Sequence, residues 1–235
     1  MAEALLHFMA AQTAVLCVAV PVALLLRAGL LRLGCPGAAY VAWLGLPLAL
    51  LAAALPRPAL APIQVDWPAG VLAAVPSQAA ASWWPEVARS PWVPLLVAVW
   101  MAGAVVCAAM LVRQQRRYLQ SLTRTPQGWR SPHGSSPALL GVLRPHVVLP
   151  ADFEARYDAQ EQALVLAHEH THQRRHDNAW NLLATALLLM HWFNPLAWLA
   201  GHRMRADQEL SCDDAVVRRQ PASVHAYVRA LAKAQ

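Results

Sequence analysis

Two histidines four residues apart, His168 and His172, enclose Glu169 in the sequence His-Glu-His-Thr-His. Residues at this spacing lie on one face of an α-helix, so both imidazoles can bind one metal ion while the carboxylate reaches a water on that ion. A zinc ion lowers the pKa of its bound water to about 7, and a carboxylate beside it can move the water's proton to a leaving amine. The pattern therefore predicts a hydrolytic site with one Zn²⁺ per chain and Glu169 as its general base.

A catalytic zinc site also needs a third protein ligand and one open position. His176 lies eight residues after His168, and a helix of that length spans about 12 Å, too far for one ion with bonds near 2 Å. Glu209 is the better candidate, and Asp213, one turn further on, can accept the free ring N–H of a ligand histidine. A solvated acidic face is the alternative interpretation of these two carboxylates.

The helix that carries the histidines is expected to begin at Asp158, because Glu161 stands three residues later, as in a capping box. Before this helix, residues 137–150 contain short apolar runs bounded by glycine and proline, which predict one or two short strands. One of these strands is expected to pair, as an edge strand, with the backbone of an extended substrate. The residues of this expected edge strand are Leu139, Leu140, Gly141, Val142 and Leu143.

The composition indicates that much of the chain lies in lipid. Of the 235 residues, 57% are hydrophobic and only 14% are charged, whereas about 25% are charged in soluble domains. The uncharged stretches long enough to cross a bilayer as helices are about 4–26, 37–55 and 92–112. We therefore expect a membrane region over residues 1–112 with an external loop at 56–91, and a cytosolic zinc metallopeptidase domain over 113–235.

Arginines predict the orientation of the chain in the membrane. Arg27 and Arg32 follow the first stretch, and a second basic cluster at 113–117 follows the third. Because loops rich in Lys and Arg stay in the cytoplasm, the N-terminus is expected outside and the active site in the cytosol of a bacterial-type inner (cell) membrane. The net charge of +6 is then explained by this orientation. We expect the lipid bilayer and a protein or peptide substrate as partners, and no nucleic acid.

A fourth apolar stretch, residues 179–200, conflicts with the metal site if it crosses the membrane. A single crossing would place His172 and Glu209 on opposite sides of the bilayer, where they cannot share an ion. Asn194-Pro195 interrupts the stretch, and proline disfavours helix at the residue before it. Two interpretations stay open: a membrane-associated helical hairpin, or a buried helix pair of the catalytic domain.

These motifs resemble the BlaR/MecR-type membrane zinc metallopeptidases. The resemblance covers nearly the whole chain. The segments that carry it are the H-E-x-x-H helix, Glu209-Leu210-Ser211-Cys212-Asp213, Gly141-Val142-Leu143-Arg144-Pro145 and Phe193-Asn194-Pro195-Leu196. The resemblance implies a mainly α membrane protein with a small α+β, gluzincin-like peptidase domain. It also implies that His168, His172 and Glu209 are the zinc ligands, and that the chain cleaves a protein substrate in signal transduction or antibiotic-response regulation. Members of this family often continue into a further span and a sensor domain.

Other functions stay open from the sequence. One is a housekeeping or prenyl-protein-type membrane metalloprotease, and another is a non-catalytic zinc-binding membrane sensor or scaffold. Glu169 argues against the scaffold, because a structural zinc site normally closes with four protein ligands and needs no base. A serine/lysine protease is disfavoured because Lys233 is the only lysine. The sequence determines neither the substrate nor the activating signal, and a homodimer stays open.

Overall fold

The computed structural model describes residues 2–55 and 90–234. Its helices are α1 (Ala2–Arg32), α2 (Pro36–Ala42), α3 (Gly45–Ala54), α4 (Val93–Ser121), α5 (Phe153–Arg156), α6 (Ala159–Arg175), α7 (Asp177–Met190), α8 (Pro195–Arg219) and α9 (Val224–Ala234). Its strands are β1 (Thr123–Thr125), β2 (Gly128–Ser131), β3 (Ala138–Leu140) and β4 (His146–Pro150), and Pro221–Ser223 forms a 3-10 turn before α9. The protein is therefore mainly α with one small sheet, as the sequence predicts.

Within the described residues, three helical segments are long and apolar enough to cross a bilayer. They are Ala2–Arg32, Pro36–Ala54 and Val93–Ser121, which confirms the three predicted stretches in length and composition. Helices α1 and α4 extend past the predicted ends of the first and third stretches. A charged residue ends an uncharged stretch in the sequence, but it does not end the helix. The expected external loop at 56–91 lies outside the described residues, apart from its last two.

The second of these segments is broken between α2 and α3. Pro47 has no backbone N–H to donate to the carbonyl of Trp43, four residues earlier. The Leu46 N–H instead donates to that carbonyl at 3.2 Å, in the tighter pattern of a 3-10 turn. The break leaves α2 packed against α8, where the Trp43 indole N–H donates to Asp207 at 2.7 Å.

The four strands are arranged in the order β1-β2-β4-β3. The pairs β1–β2 and β3–β4 are antiparallel, and β2–β4 is parallel. As predicted, β3 is an edge strand, and its central residue Leu139 is paired with Val147. Strand β3 also contacts the helix that carries the histidines, and Leu139 lines the same cavity as His168 and His172.

The edge strand is shorter than the sequence indicated. Leu139 and Leu140 lie in β3, and the expected strand residues that lie beyond it are Gly141, Val142 and Leu143. Gly141 has φ of 95°, and a Cβ atom there would come within 3.0 Å of the Arg144 carbonyl oxygen. A left-handed residue cannot continue a strand, so the chain turns here toward β4. The expectation that the strand runs to Leu143 was therefore wrong.

Two groups of buried apolar side chains hold the site helices in place. The first, which includes Leu16, Trp43 and Ala197, joins α1, α2 and α3 to α8. The second, which includes Leu164 and Tyr227, joins α6 to α8 and α9. Helix α8 therefore packs both against the candidate membrane helices and against α6.

The apolar stretch 179–200 forms most of α7 and the start of α8. Asn194 caps α8, since its side-chain oxygen accepts a hydrogen bond from the Leu196 N–H at 2.9 Å, and Pro195 occupies the first helical position. Helix α7 has 14 residues, fewer than the roughly 20 that a crossing needs. The stretch is thus a pair of helices that meet at Asn194.

Candidate metal centre

Three donor atoms meet between α6 and α8. The Nε2 atoms of His168 and His172 are 3.0 Å apart, and Oε2 of Glu209 lies 3.4 Å from each of them. Tetrahedral ligands at about 2.0–2.1 Å from one zinc ion stand roughly 3.3 Å from each other. The expected donors therefore have the spacing of ligands that share one ion, and the donor set fits zinc.

Cys212 offers a competing donor at the same place. Its Sγ lies within 4.8 Å of one ring nitrogen from each histidine, but it donates a hydrogen bond to the His168 carbonyl oxygen at 3.3 Å and is fully buried. Glu209 fits better, because one of its oxygens is equidistant from both rings and its side chain is 58% exposed in the open cavity. A catalytic ion must keep a position open to solvent, and Cys212 does not face the cavity.

A buried carboxylate on α7 orients the second histidine. His172 Nδ1 donates to Oδ2 of Asp177 at 2.7 Å, which leaves Nε2 free for a metal. The intervening His176 has φ of 55°, the left-handed value that ends α6 and turns the chain back. Sequence reasoning missed Asp177. The available signal was a carboxylate just past the last turn of the helix, five residues after a candidate ligand.

The first histidine is oriented through α9. His168 Nδ1 lies 2.7 Å from the Tyr227 hydroxyl, and this hydroxyl donates to Oδ1 of Asp213 at 2.7 Å. The ring therefore donates at Nδ1 and presents Nε2 to Glu209. Asp213 lies 3.2 Å from the same ring nitrogen, and its role as a direct acceptor of the ring N–H stays a prediction. Tyr227, which links the two, was missed, since no spacing rule connects α9 to α6.

The charges of the donors stabilise one another. The partial loss of hydration of Glu209 between the two histidines raises the pKa of its carboxyl, but the hydrogen bonds from His168 and His172 outweigh this and lower that pKa to about 2. Burial lowers the pKa of His172, but Asp177, Cys212 and Glu209 outweigh it and raise that pKa to about 12. Since a metal binds only neutral imidazole, metal binding must release protons and should weaken as pH falls.

Glu169 lies beside the donors but is not tied to them. Its side chain is buried at the cavity, and among residues 2–55 and 90–234 its carboxylate has no hydrogen bond or ion pair. Burial raises the pKa of Glu169 above its ordinary value, although His168 and His172 act in the opposite direction. A carboxylate with free oxygens and a raised pKa is suited to accept a proton from water.

The donors lie in a cavity of about 500 Å³, within the size range of small-ligand and substrate sites. Leu139 of β3 lines one wall, and Asn178 and Tyr227 line others. The Asn178 side-chain NH₂ donates to the carbonyl oxygens of Leu139 at 2.9 Å and of Gly141 at 2.7 Å. The C-terminal half of the free strand edge is thus already paired within the chain.

The apolar helices and this centre together define a membrane protein of the metallopeptidase type. The family described as "BlaR1 peptidase M56" matches residues 6–235, and the chain belongs to that family. The regulatory protein BlaR1 of Bacillus licheniformis is 38% identical over 96 residues, which are 41% of this chain and 16% of that protein. The methicillin resistance mecR1 protein of Staphylococcus aureus is 21% identical over 147 residues, or 53% of this chain and 25% of that protein. The matches therefore span a quarter or less of these relatives.

Proposed function

We propose that this chain is a membrane-embedded, zinc-dependent endopeptidase that cleaves a protein substrate on the cytosolic side of the cell membrane. The observation that carries the proposal is the set of donor atoms from His168, His172 and Glu209, spaced 3.0–3.4 Å apart beside an unpaired carboxylate. The names of the relatives, a regulatory protein and a methicillin resistance protein, support a substrate in signal transduction or antibiotic-response regulation.

The side chains around the centre have separate tasks in this reaction. His168, His172 and Glu209 would hold the zinc ion, which when bound would supply an activated water and polarise the substrate carbonyl. The Glu169 carboxylate accepts the proton of the water and returns it to the leaving amine. Asp177 and Tyr227 keep the rings in the tautomer that presents Nε2 to the cavity.

Zinc removal tests the proposed function directly. The full chain, purified in detergent, should contain about one zinc and should cleave an unstructured protein such as casein. Dialysis against a chelator should abolish cleavage, and added Zn²⁺ should restore it while Mg²⁺ should not, because imidazole ligands favour zinc over magnesium. Cleavage that survives complete metal removal would rule out the metal mechanism, and a protein that never retains zinc would rule out the site.

The free edge of β3 is the proposed binding site for the substrate backbone. The Leu139 carbonyl points away from β4, since it accepts from Asn178, and the N–H of a strand residue points to the same side as its carbonyl. This N–H can therefore pair with an extended peptide, as in strand addition. The exposed edge is short because Asn178 covers the end of it.

Leu139→Pro should weaken substrate binding without removing zinc. Proline deletes one hydrogen bond to the peptide and leaves the side of β3 that faces β4 intact. Such a bond contributes about 0.5–1.5 kcal/mol, so KM should rise roughly 2- to 12-fold. Leu139→Ala, which keeps the N–H, is the matched control. Equal KM values for the two variants would argue against backbone pairing at this edge.

The proposed orientation places both sides of the 179–200 stretch in the cytosol. Exposed apolar side chains on it, among them Leu182, Phe193 and Trp198, favour a membrane-associated hairpin over a buried pair. Single cysteines at Gln127 and Gln220, in a version lacking the four native cysteines, should be shielded from an impermeant thiol reagent in intact cells. A cysteine at Gln78, outside the described residues, should be labelled. Labelling at 220 but not at 127 would show that the stretch crosses the bilayer.

A further inference from the structure

The hydroxyl of Tyr40, on the second candidate membrane span, is shared between two other helices. It donates to Oδ1 of Asp177 at 3.0 Å and accepts from Nε2 of Gln208 at 2.8 Å. The Gln208 oxygen in turn accepts from Asn181 at 3.0 Å, and the Arg175 guanidinium lies over the Tyr40 ring at 4.6 Å. The side chain is therefore fixed at both its ring and its hydroxyl.

Both partners of this hydroxyl adjoin candidate metal ligands. Asp177 accepts the ring N–H of His172 through its other oxygen, and Gln208 immediately precedes Glu209 on α8. Asp177 and Gln208 are both buried, where a lost hydrogen bond costs more than at the surface. One hydroxyl from a membrane helix thus joins the two groups that place His172 and Glu209.

The turn of α8 that contains Gln208 has further contacts with the membrane helices at the preceding residue, Asp207. Arg27 of α1 lies 2.6 Å from the fully buried Asp207, which also accepts from Trp43 at 2.7 Å. Three consecutive residues on α8, Asp207 to Glu209, therefore connect the first two spans to the metal centre. The third span makes no hydrogen bond to these residues in the described part of the chain.

We propose that Tyr40 is a positioning residue for the zinc site. It holds Asp177 and Gln208 together, and so it fixes the ring of His172 and the backbone turn of Glu209. Removal of its hydroxyl leaves one Asp177 oxygen and the Gln208 side-chain NH₂ without this partner, so His172 and Glu209 are held less rigidly. The inference rests on the proposed function and extends its metal site into the membrane region.

The test is the zinc affinity of the full chain in detergent, measured by competition with a chromogenic chelator. Tyr40→Phe keeps the ring and should weaken zinc binding about tenfold, the lower end of the range for partners of metal ligands. Tyr157→Phe is the matched control, because the buried Tyr157 hydroxyl has no hydrogen-bond partner in the described residues. This control should bind zinc as tightly as the unmodified chain.

The same Tyr40→Phe substitution, made in a variant that already carries Asp177→Ala, distinguishes a positioning role of Tyr40 from a general loss of structure. In Asp177→Ala the path to His172 is already cut, so adding Tyr40→Phe should weaken zinc binding by about threefold or less. Equal factors in the two backgrounds, or unchanged affinity in Tyr40→Phe alone, would overturn the role of Tyr40 and leave the zinc site standing. Failure of the unmodified chain to bind zinc would instead overturn the proposed function together with this inference.

Discussion

We expect Glu169→Gln to lower the rate of peptide cleavage by at least about 100-fold while the protein keeps the proposed zinc ion. General acid–base groups contribute roughly 10²- to 10⁴-fold to such reactions, and the amide cannot accept the proton. Zinc should be retained because Glu169 is not one of the closely spaced donors, and its carboxylate has no hydrogen bond or ion pair in the described residues for the amide to disturb. Single-turnover cleavage and metal content of the same sample measure both effects.

Glu154→Gln is a suitable control for this substitution. Glu154 is exposed and pairs with Arg130 at 2.6 Å, away from the cavity, so the rate should stay within about twofold of the unmodified chain, as is usual for surface changes. Full cleavage by the Glu169→Gln protein would remove Glu169 as the base. Zinc binding without cleavage in the unmodified chain would favour the non-catalytic sensor.

Substitution of Glu209, the proposed third ligand, should lower the affinity of the site for zinc. Glu209→Ala should weaken zinc binding by more than about 100-fold, beyond the 10- to 100-fold typical for partners of ligands, because it removes a proposed ligand atom. His168 and His172 would then carry the ion alone, and two ligands do not complete a catalytic site. Chelator competition gives the affinity, and cleavage at saturating zinc shows whether activity returns.

Two matched variants decide between the competing donors. Asp214→Ala lies on the same helix, where Asp214 pairs with Arg218 at 2.8 Å, and it should leave zinc affinity unchanged. Cys212→Ser keeps a group that can donate to the His168 carbonyl and should also bind zinc normally. If Cys212→Ser loses zinc and Glu209→Ala retains it, the third ligand is the thiolate.

The helix at the centre was predictable because its signals are local. Both hydrogen bonds of the capping box at the start of α6 are present, since the Asp158 side chain accepts from the Glu161 N–H and the Glu161 carboxylate accepts from the Asp158 N–H. The facing histidines follow from helical spacing. The strand was predicted too long because Gly141 fits a strand pattern as readily as a turn, and only its φ distinguishes them.

The supporting side chains were not predictable in the same way. Tyr40 meets Asp177 across 137 positions of sequence, and Tyr227 meets His168 across 59. Such contacts depend on how whole helices dock, and one sequence contains no period or spacing that reports docking. The roles of the donors and of the strand in catalysis stay predictions that the substitutions above test.

The turn at His176, which has a left-handed backbone conformation, is followed directly by two residues with different hydrogen-bond partners, Asp177 and Asn178. Asp177 bonds to His172, and Asn178 bonds to the carbonyls at the end of β3. The proposed zinc binding and the proposed peptide binding therefore both depend on the turn at His176. A small molecule bound between α6 and α7 that shifts this turn should weaken both. A substitution that makes the turn less rigid in order to escape such an inhibitor should also weaken zinc binding and substrate binding.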